Sequence, residues 1–217
     1  MNDARAKIRM GFVGGGQGAF IGRAHRQAAG LDGCFELVCG AFSRDARNNQ
    51  DTGAALGLPG SRCYTDWQQM LEVERGLPAD QRMELLIIVT PNHLHAPIAS
   101  EALKAGFHVF SEKPAALNLA ELLALKQVLQ SGDRLYGLAH TYLGYPMVWQ
   151  ARQMVRDGVI GTLRKVLVEY PQGWLSEDVA GQGNKQATWR DQPEQSGLGG
   201  CIGDIGTHGC SRAEVGA

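Results

Sequence analysis

An apolar run from Ile8 to Val13 stops abruptly at Gly14-Gly15-Gly16-Gln17-Gly18-Ala19 and gives way to a helical pattern from Ile21 to Ala29. No other feature restricts the fold of this chain as much. A strand that turns through glycines into a helix is the opening unit of a doubly wound parallel sheet. Such a turn suits a pyrophosphate. Glycines let the backbone approach the ligand, and the helix N-terminus offers N–H donors with positive partial charge. The match to GxGxxA is short, and its place between strand and helix gives it weight. The residues that would cradle a dinucleotide are Gly14, Gly16, Gln17, Gly18, Ala19, Phe20 and Ile21. The competing reading is a glycine turn that only lets strand and helix pack closely.

The pattern then repeats. Strands are expected at Phe35 to Phe42, Met83 to Val89, Phe107 to Phe110 and Leu135 to Thr141. Helices are expected at Asp45 to Leu56, Asp66 to Glu74 (with Asp66 as N-cap), Pro97 to Ala105 and Leu119 to Gln130. Met83 to Val89 is apolar throughout, as a strand buried on both faces of a parallel sheet must be. Alternating strands and helices with short links make this an α/β chain with a Rossmann-type, doubly wound parallel sheet. Past Thr141 the pattern changes. A helix is expected at Pro146 to Asp157, and Leu163 to Tyr170 alternates apolar residues with Arg164, Lys165 and Glu169, as a strand with one wet face would. Two domains follow, 1–142 and 143–217, with Gly181 to Gly200 read as an active-site loop.

The 217 residues carry a formal net charge of -1, which gives no electrostatic reason to expect nucleic acid or an anionic membrane as partner. No apolar run approaches the ~20 residues needed to span a bilayer. Met1 to Arg5 is polar and runs directly into the first strand, so a cytoplasmic location is expected. None of the five cysteines forms a CxxC pair, and Cys34, Cys39 and Cys63 adjoin apolar segments. Reduced, buried thiols are therefore expected, with no metal site.

Three further motifs bear on chemistry. At the end of the second strand, Ser43-Arg44, with Arg47 nearby, suits a ribose 2′-phosphate and favours NADP, while Asp45 keeps NAD open. Solvated helix arginines are the plain alternative. Glu112-Lys113-Pro114 follows a strand at the sheet edge where ligands of open α/β sheets bind. Pro114 restricts Lys113 to an extended conformation, which aims its ammonium over the cleft, where it can stabilise a developing alkoxide. In Gly203-Asp204-Ile205-Gly206-Thr207-His208, a helical start would put Asp204 and His208 on one face, a carboxylate beside a candidate acid/base. Without further context, the plainer reading prevails: Asp204 as an ordinary N-cap and His208 as a surface histidine.

Together with Thr90-Pro91-Asn92-His93-Leu94-His95, these motifs resemble, in order, those of the Gfo/Idh/MocA oxidoreductase family. The resemblance extends to Tyr145-Pro146, Gln172-Gly173-Trp174-Leu175 and Gly183-Asn184-Lys185-Gln186. It implies a second α/β domain with an open, mainly antiparallel sheet, and NAD(P)-dependent oxidation or reduction of a sugar, cyclitol or related polyol. By that likeness Lys113 polarises the reacting oxygen, His208 is the acid/base and Asp204 orients substrate. Thr90, Asn92, His95, Glu112 and Lys113 line the cofactor groove, and Trp189 and Arg190 contact cofactor or substrate. His25, His93, His108 and His140 are left as structural. The tail Gly209 to Ala217 has no apolar helical stripe and departs from the family, so the second domain is expected to be incomplete. A homo-oligomer through the outer face of that sheet would be weakened accordingly. A non-catalytic nucleotide-binding protein and an inactive gene fragment are the alternatives.

Overall fold

The computed structural model describes residues 6–173 and 176–216. Five parallel strands form one sheet: β1 (Ile8–Gly14), β2 (Phe35–Ala41), β3 (Leu85–Val89), β4 (His108–Ser111) and β5 (Tyr136–Leu138). Their order across the sheet is β2-β1-β3-β4-β5. The crossovers contain α1 (Phe20–Gly30), α2 (Ala46–Ala55), α3 (Trp67–Gly76), α4 (His95–Lys104) and α5 (Leu119–Gln130). Beyond β2 a single parallel bridge joins Gly40 to Cys63 and extends the edge by one residue pair.

The strands alternate between two apolar layers. Leu86 and Ile88 belong to one cluster with Val13, Ile98 and Val109, whereas Ile87 and Val89 belong to another with Met10, Phe12 and Phe42. A strand with both faces covered reads as continuous apolar sequence, and this explains the run that ends at Val89. Full burial of a side chain such as Ile88, 0% exposed, contributes roughly 1.5–3 kcal/mol.

Helix starts follow their caps. Asp45 accepts from the Asn48 N–H at 2.7 Å, Asp66 from the Gln69 N–H at 2.8 Å, and Asn118 from the Glu121 N–H at 3.0 Å. A fully buried carboxylate, Glu74, ties α3 to the sheet. It takes the Tyr64 hydroxyl at 2.7 Å and the Met83 N–H at 2.8 Å, and pairs with the Arg62 guanidinium at 2.9 Å.

The chain continues through a tight turn, Thr141–Gly144, into α6 (Pro146–Arg156), with Pro146 in the first turn where its missing N–H is harmless. The short helices α7 (Lys185–Thr188) and α8 (Pro193–Ser196) interrupt the expected loop at 181–200. A wide turn, Ile202–Gly206, leads into α9 (Thr207–Gly216).

Three expectations need correction. The segment 163–170 forms no strand, and among the described residues no sheet follows β5, so the open antiparallel sheet is not observed. An alternating pattern marks one face for burial, but a strand exists only against a neighbour, and none lies beside this segment. Leu167 is accordingly 73% exposed. The tail, for its part, is helical despite lacking an apolar stripe. Among the thiols, all free, Cys39 is buried but Cys34 is exposed.

Candidate active site

The carboxyl ends of β1, β3, β4 and β5 gather the chemistry. Gly18 (φ +83°) is in the left-handed region, with open space where a Cβ would project. A Cβ on Gly22 would lie 2.5 Å from the Gly15 Cα, so this pair sets how closely α1 packs on the turn. Neither Gly15 nor Gly22 stood among the cradle residues picked from sequence. The loop is also tied to α2. The Gln17 N–H donates to Asn48 Oδ1 at 3.1 Å and to Thr52 Oγ1 at 3.0 Å, and the Gly16 N–H donates to the Phe42 carbonyl at 3.1 Å. Ala19 at the start of α1 has no side chain to cap the helix, and the Phe20 and Ile21 amides open its first turn.

At the end of β2, Ser43 Oγ accepts from the Asp45 N–H at 3.1 Å while Arg44 is exposed. Arg47, 91% exposed in its side chain, pairs loosely with Asp51 at 3.7 Å.

In the 90–95 turn, His95 is buried, with Nε2 2.8 Å from the Thr90 carbonyl and Nδ1 2.7 Å from the Pro114 carbonyl. Burial lowers its proton affinity, against the pull of both carbonyls. It thereby pins the turn after β3 to the turn after β4. The Asn92 amide donates to the Ser196 carbonyl at 2.9 Å, joining the same turn to α8. Thr90 Oγ1 is buried with no hydrogen-bond partner among the described residues.

After β4, the Glu112 carboxylate lies 2.7 Å from His25 Nε2, both largely buried, and also accepts from the Lys113 N–H at 3.3 Å. His25, set aside as structural on sequence grounds, thus links α1 to the residue beside the lysine. Lys113 is joined to Pro114 by a cis peptide bond. Its ammonium donates to Asp204 Oδ1 at 2.5 Å and to the Asp204 carbonyl at 2.8 Å, across ninety-one positions of sequence. The other oxygen of Asp204 receives Arg190 Nε at 3.2 Å. Although burial opposes the charged form, the Lys113 and Arg190 cations hold the Asp204 carboxyl below its ordinary range. Arg190 also donates to Gln186 and stacks 4.2 Å from the Trp189 ring centroid.

His208 is buried, and burial, with the Lys113 and His140 charges, pushes its proton affinity down to about 4 against the pull of Asp204 and Glu112. Its ring meets Tyr142 edge-on at 4.6 Å and His140 at 6.3 Å. The structure therefore groups Lys113, Asp204 and Arg190 by direct contact, with His208 and Glu112 close enough to act on one another's charges. The glycine loop and Ser43-Arg44 lie along the same sheet edge, toward β2. Sequence reading missed Tyr142 and the part played by His140. Their place just beyond β5, at the ligand-binding edge, was the available signal. Trp174 and Leu175 lie outside the described residues. Among those described, no three His, Cys, Asp or Glu side chains are grouped to hold a metal ion.

Comparison with known proteins gives the family. The Gfo/Idh/MocA model described as an oxidoreductase family with an NAD-binding Rossmann fold matches residues 8–140. The chain belongs to the Gfo/Idh/MocA family. The family's C-terminal domain model matches residues 148–215, which brings in most of the tail that sequence reading had set apart. An uncharacterised Bacillus subtilis oxidoreductase, YfiI, is 34% identical over 93% of this chain and 51% of its own length. Levoglucosan dehydrogenase from Pseudarthrobacter phenanthrenivorans is 29% identical over 93% of this chain and 49% of its own. The chain spans about half the length of these curated relatives. Among solved structures, an inositol dehydrogenase homologue from Azotobacter vinelandii in complex with NAD+ superposes with TM-score 0.93 at 37% identity, over 98% of this chain and 54% of that one. Its complex with NADH and myo-inositol gives TM-score 0.88 at 35% identity, over 98% and 53%. No helix among the described residues is long and apolar enough to cross a membrane.

Proposed function

We propose that residues 1–142 bind a nicotinamide dinucleotide and that residues 143–217 help to build the substrate side of an oxidoreductase acting on a sugar, cyclitol or related polyol. The observation that carries this reading is the meeting of Lys113 with Asp204 at 2.5 Å, with the buried His208 one helical turn further on. The glycine loop fits a dinucleotide, since Gly18 is open on its Cβ side and α1 starts without a side-chain cap. Bound there, the cofactor supplies the two-electron acceptor or donor. Lys113 hydrogen-bonds the reacting oxygen and stabilises negative charge on it, and His208, neutral at pH 7, takes the hydroxyl proton. Asp204, fixed between Lys113 and Arg190, orients the neighbouring substrate hydroxyl. Glu112 and the 90–95 turn support the groove from beneath.

The preference between cofactors rests on the end of β2. Asp45 spends a carboxylate oxygen on the α2 cap, while Arg44 stands exposed beside Ser43, and this favours NADP. The NAD+ and NADH complexes of the structural neighbours favour the second reading, NAD. Titration of the purified chain with NADPH and then NADH, followed by tryptophan quenching, decides between them, and binding of neither overturns the dinucleotide site. With a panel of polyols and saturating cofactor, Lys113→Met is expected to lower turnover by about 10²–10³-fold. An unaffected rate would remove Lys113 from the chemistry.

A further inference from the structure

Tyr142 has no part in the oxygen and proton chemistry assigned above, yet three segments grip its ring. His208 meets it edge-on at 4.6 Å, and the Arg212 guanidinium lies 4.8 Å from its centroid. His208 and Arg212 are one turn apart on α9, so one helix face carries both contacts. The Tyr142 hydroxyl is 2.5 Å from that of Tyr170, whose own ring lies 5.6 Å away, and Tyr145 packs edge-on at 5.7 Å.

We propose that Tyr142 is a positioning residue for His208: its clamped ring walls the imidazole off from water and fixes its direction into the cleft. This rests on the reading of His208 as the proton acceptor. The clamp gives α9, which carries little apolar surface, aromatic and cationic contacts at His208 and Arg212 beside its packing against α6. It also separates the role of Tyr142 from acid catalysis. The bond to Tyr170, with burial second, pushes its phenol up to about 12, so the hydroxyl stays protonated across the working range. Its contribution is shape and exclusion of water.

The groups facing His208 are Lys113 and Glu112 from the β4 exit, His140 from the β5 exit and Asp204 from the preceding turn. Tyr142, Tyr170 and Arg212 complete the set. Only Tyr142 and Tyr170 can be altered without changing the charge around the imidazole. Burial is the leading cause of the low proton affinity of His208, so admitting water should be directly visible in its titration.

The test is an NMR titration of the full chain carrying ¹³C-labelled histidine, with the His208 signal assigned through His208→Gln. The wild-type midpoint is expected near 4. Tyr142→Ala should move it most of the way toward the roughly 6.5 of a free histidine. Tyr142→Phe and Tyr170→Phe both break the hydroxyl pair but keep the ring, and should produce equal, smaller upward steps. An unmoved midpoint in Tyr142→Ala overturns the proposal, as does a step in Tyr142→Phe as large as that in Tyr142→Ala. Should Tyr142→Ala fail to fold, the two phenylalanine variants decide: equal steps support the clamp, and no step in either overturns it. Failure of the catalytic reading would show separately, as full polyol turnover by His208→Gln, and would leave this titration intact.

Discussion

From β1 to β5 every strand has a hydrogen-bonded neighbour, and even a carboxylate, Glu74, is wholly buried with donors on both oxygens. Beyond Thr141 the balance is reversed. Val159, Ile160, Leu167 and Ile202 are exposed, and the contacts that hold this region include polar and aromatic ones. They converge on one seam: Lys113 with Asp204, Asn92 with Ser196, and Tyr142 with His208. The first region is stabilised by apolar burial wherever one looks. The second is attached at the points where chemistry is expected. A perturbation inside the sheet should therefore cost stability, whereas one along the seam should cost function or local order.

Four measurements would break or sharpen this contrast. Removing Glu74 strands the Arg62 guanidinium against the sheet, and Glu74→Ala should destabilise the Rossmann half by about 3–5 kcal/mol in denaturant unfolding. A loss below about 1 kcal/mol would mean that the buried pair is replaceable by water. Limited proteolysis comes next. Cleavage is expected first within 159–173, where no ladder protects the backbone, leaving a resistant fragment that contains β1 to β5. A chain resistant throughout would show the two regions to be equally ordered.

The third measurement is pH dependence. His208 has a folded value of about 4 and an unfolded value of roughly 6.5. Below the unfolded value the unfolded chain binds a proton that the folded chain refuses. The stability contributed by neutral His208 is thus complete above about pH 6.5 and is lost as pH falls toward 4. Order in α9, followed by amide exchange, should decline over that window, and His208→Gln should flatten the decline. Smallest of all, Leu167→Ser should change stability by no more than about ±0.5 kcal/mol, because that side chain is already in solvent. A larger loss would reveal burial that the exposed position of Leu167 denies.

Much of the sheet was legible because its signals are local. The run ending at Val89, the Asp66 cap and the glycine turn after Val13 each act within a few residues, where propensity and periodicity operate. Asp204 and His208 were expected on one helix face from their four-residue spacing, whereas the chain winds a wider turn at 202–206 and Asp204 is held by Lys113 and Arg190. What escaped depended on distant partners. His25 acquires its role only when Glu112, eighty-seven positions away, is folded against α1. The hold of Asn48 and Thr52 on Gln17 is likewise long-range. Leu163 to Tyr170 was misread because alternation describes a strand's two faces but not whether a neighbour exists. The helix at 207–216 was missed because it has no apolar stripe to signal it, and its anchors, His208 and Arg212 on Tyr142, lie far away in sequence.

The bond between Lys113 and Asp204 also bears on selectivity. The Asp204 carboxylate already holds the Lys113 ammonium, so a guest must compete with it for that ammonium. A neutral hydroxyl is a weak competitor and gains little by arriving. An oxygen that accumulates negative charge as the reaction proceeds becomes an equal rival, and only then does the lysine have reason to transfer its attention. With Lys113 in the role proposed above, the pair would act as a threshold that favours the changing substrate over the resting one, which is the condition under which binding energy becomes rate.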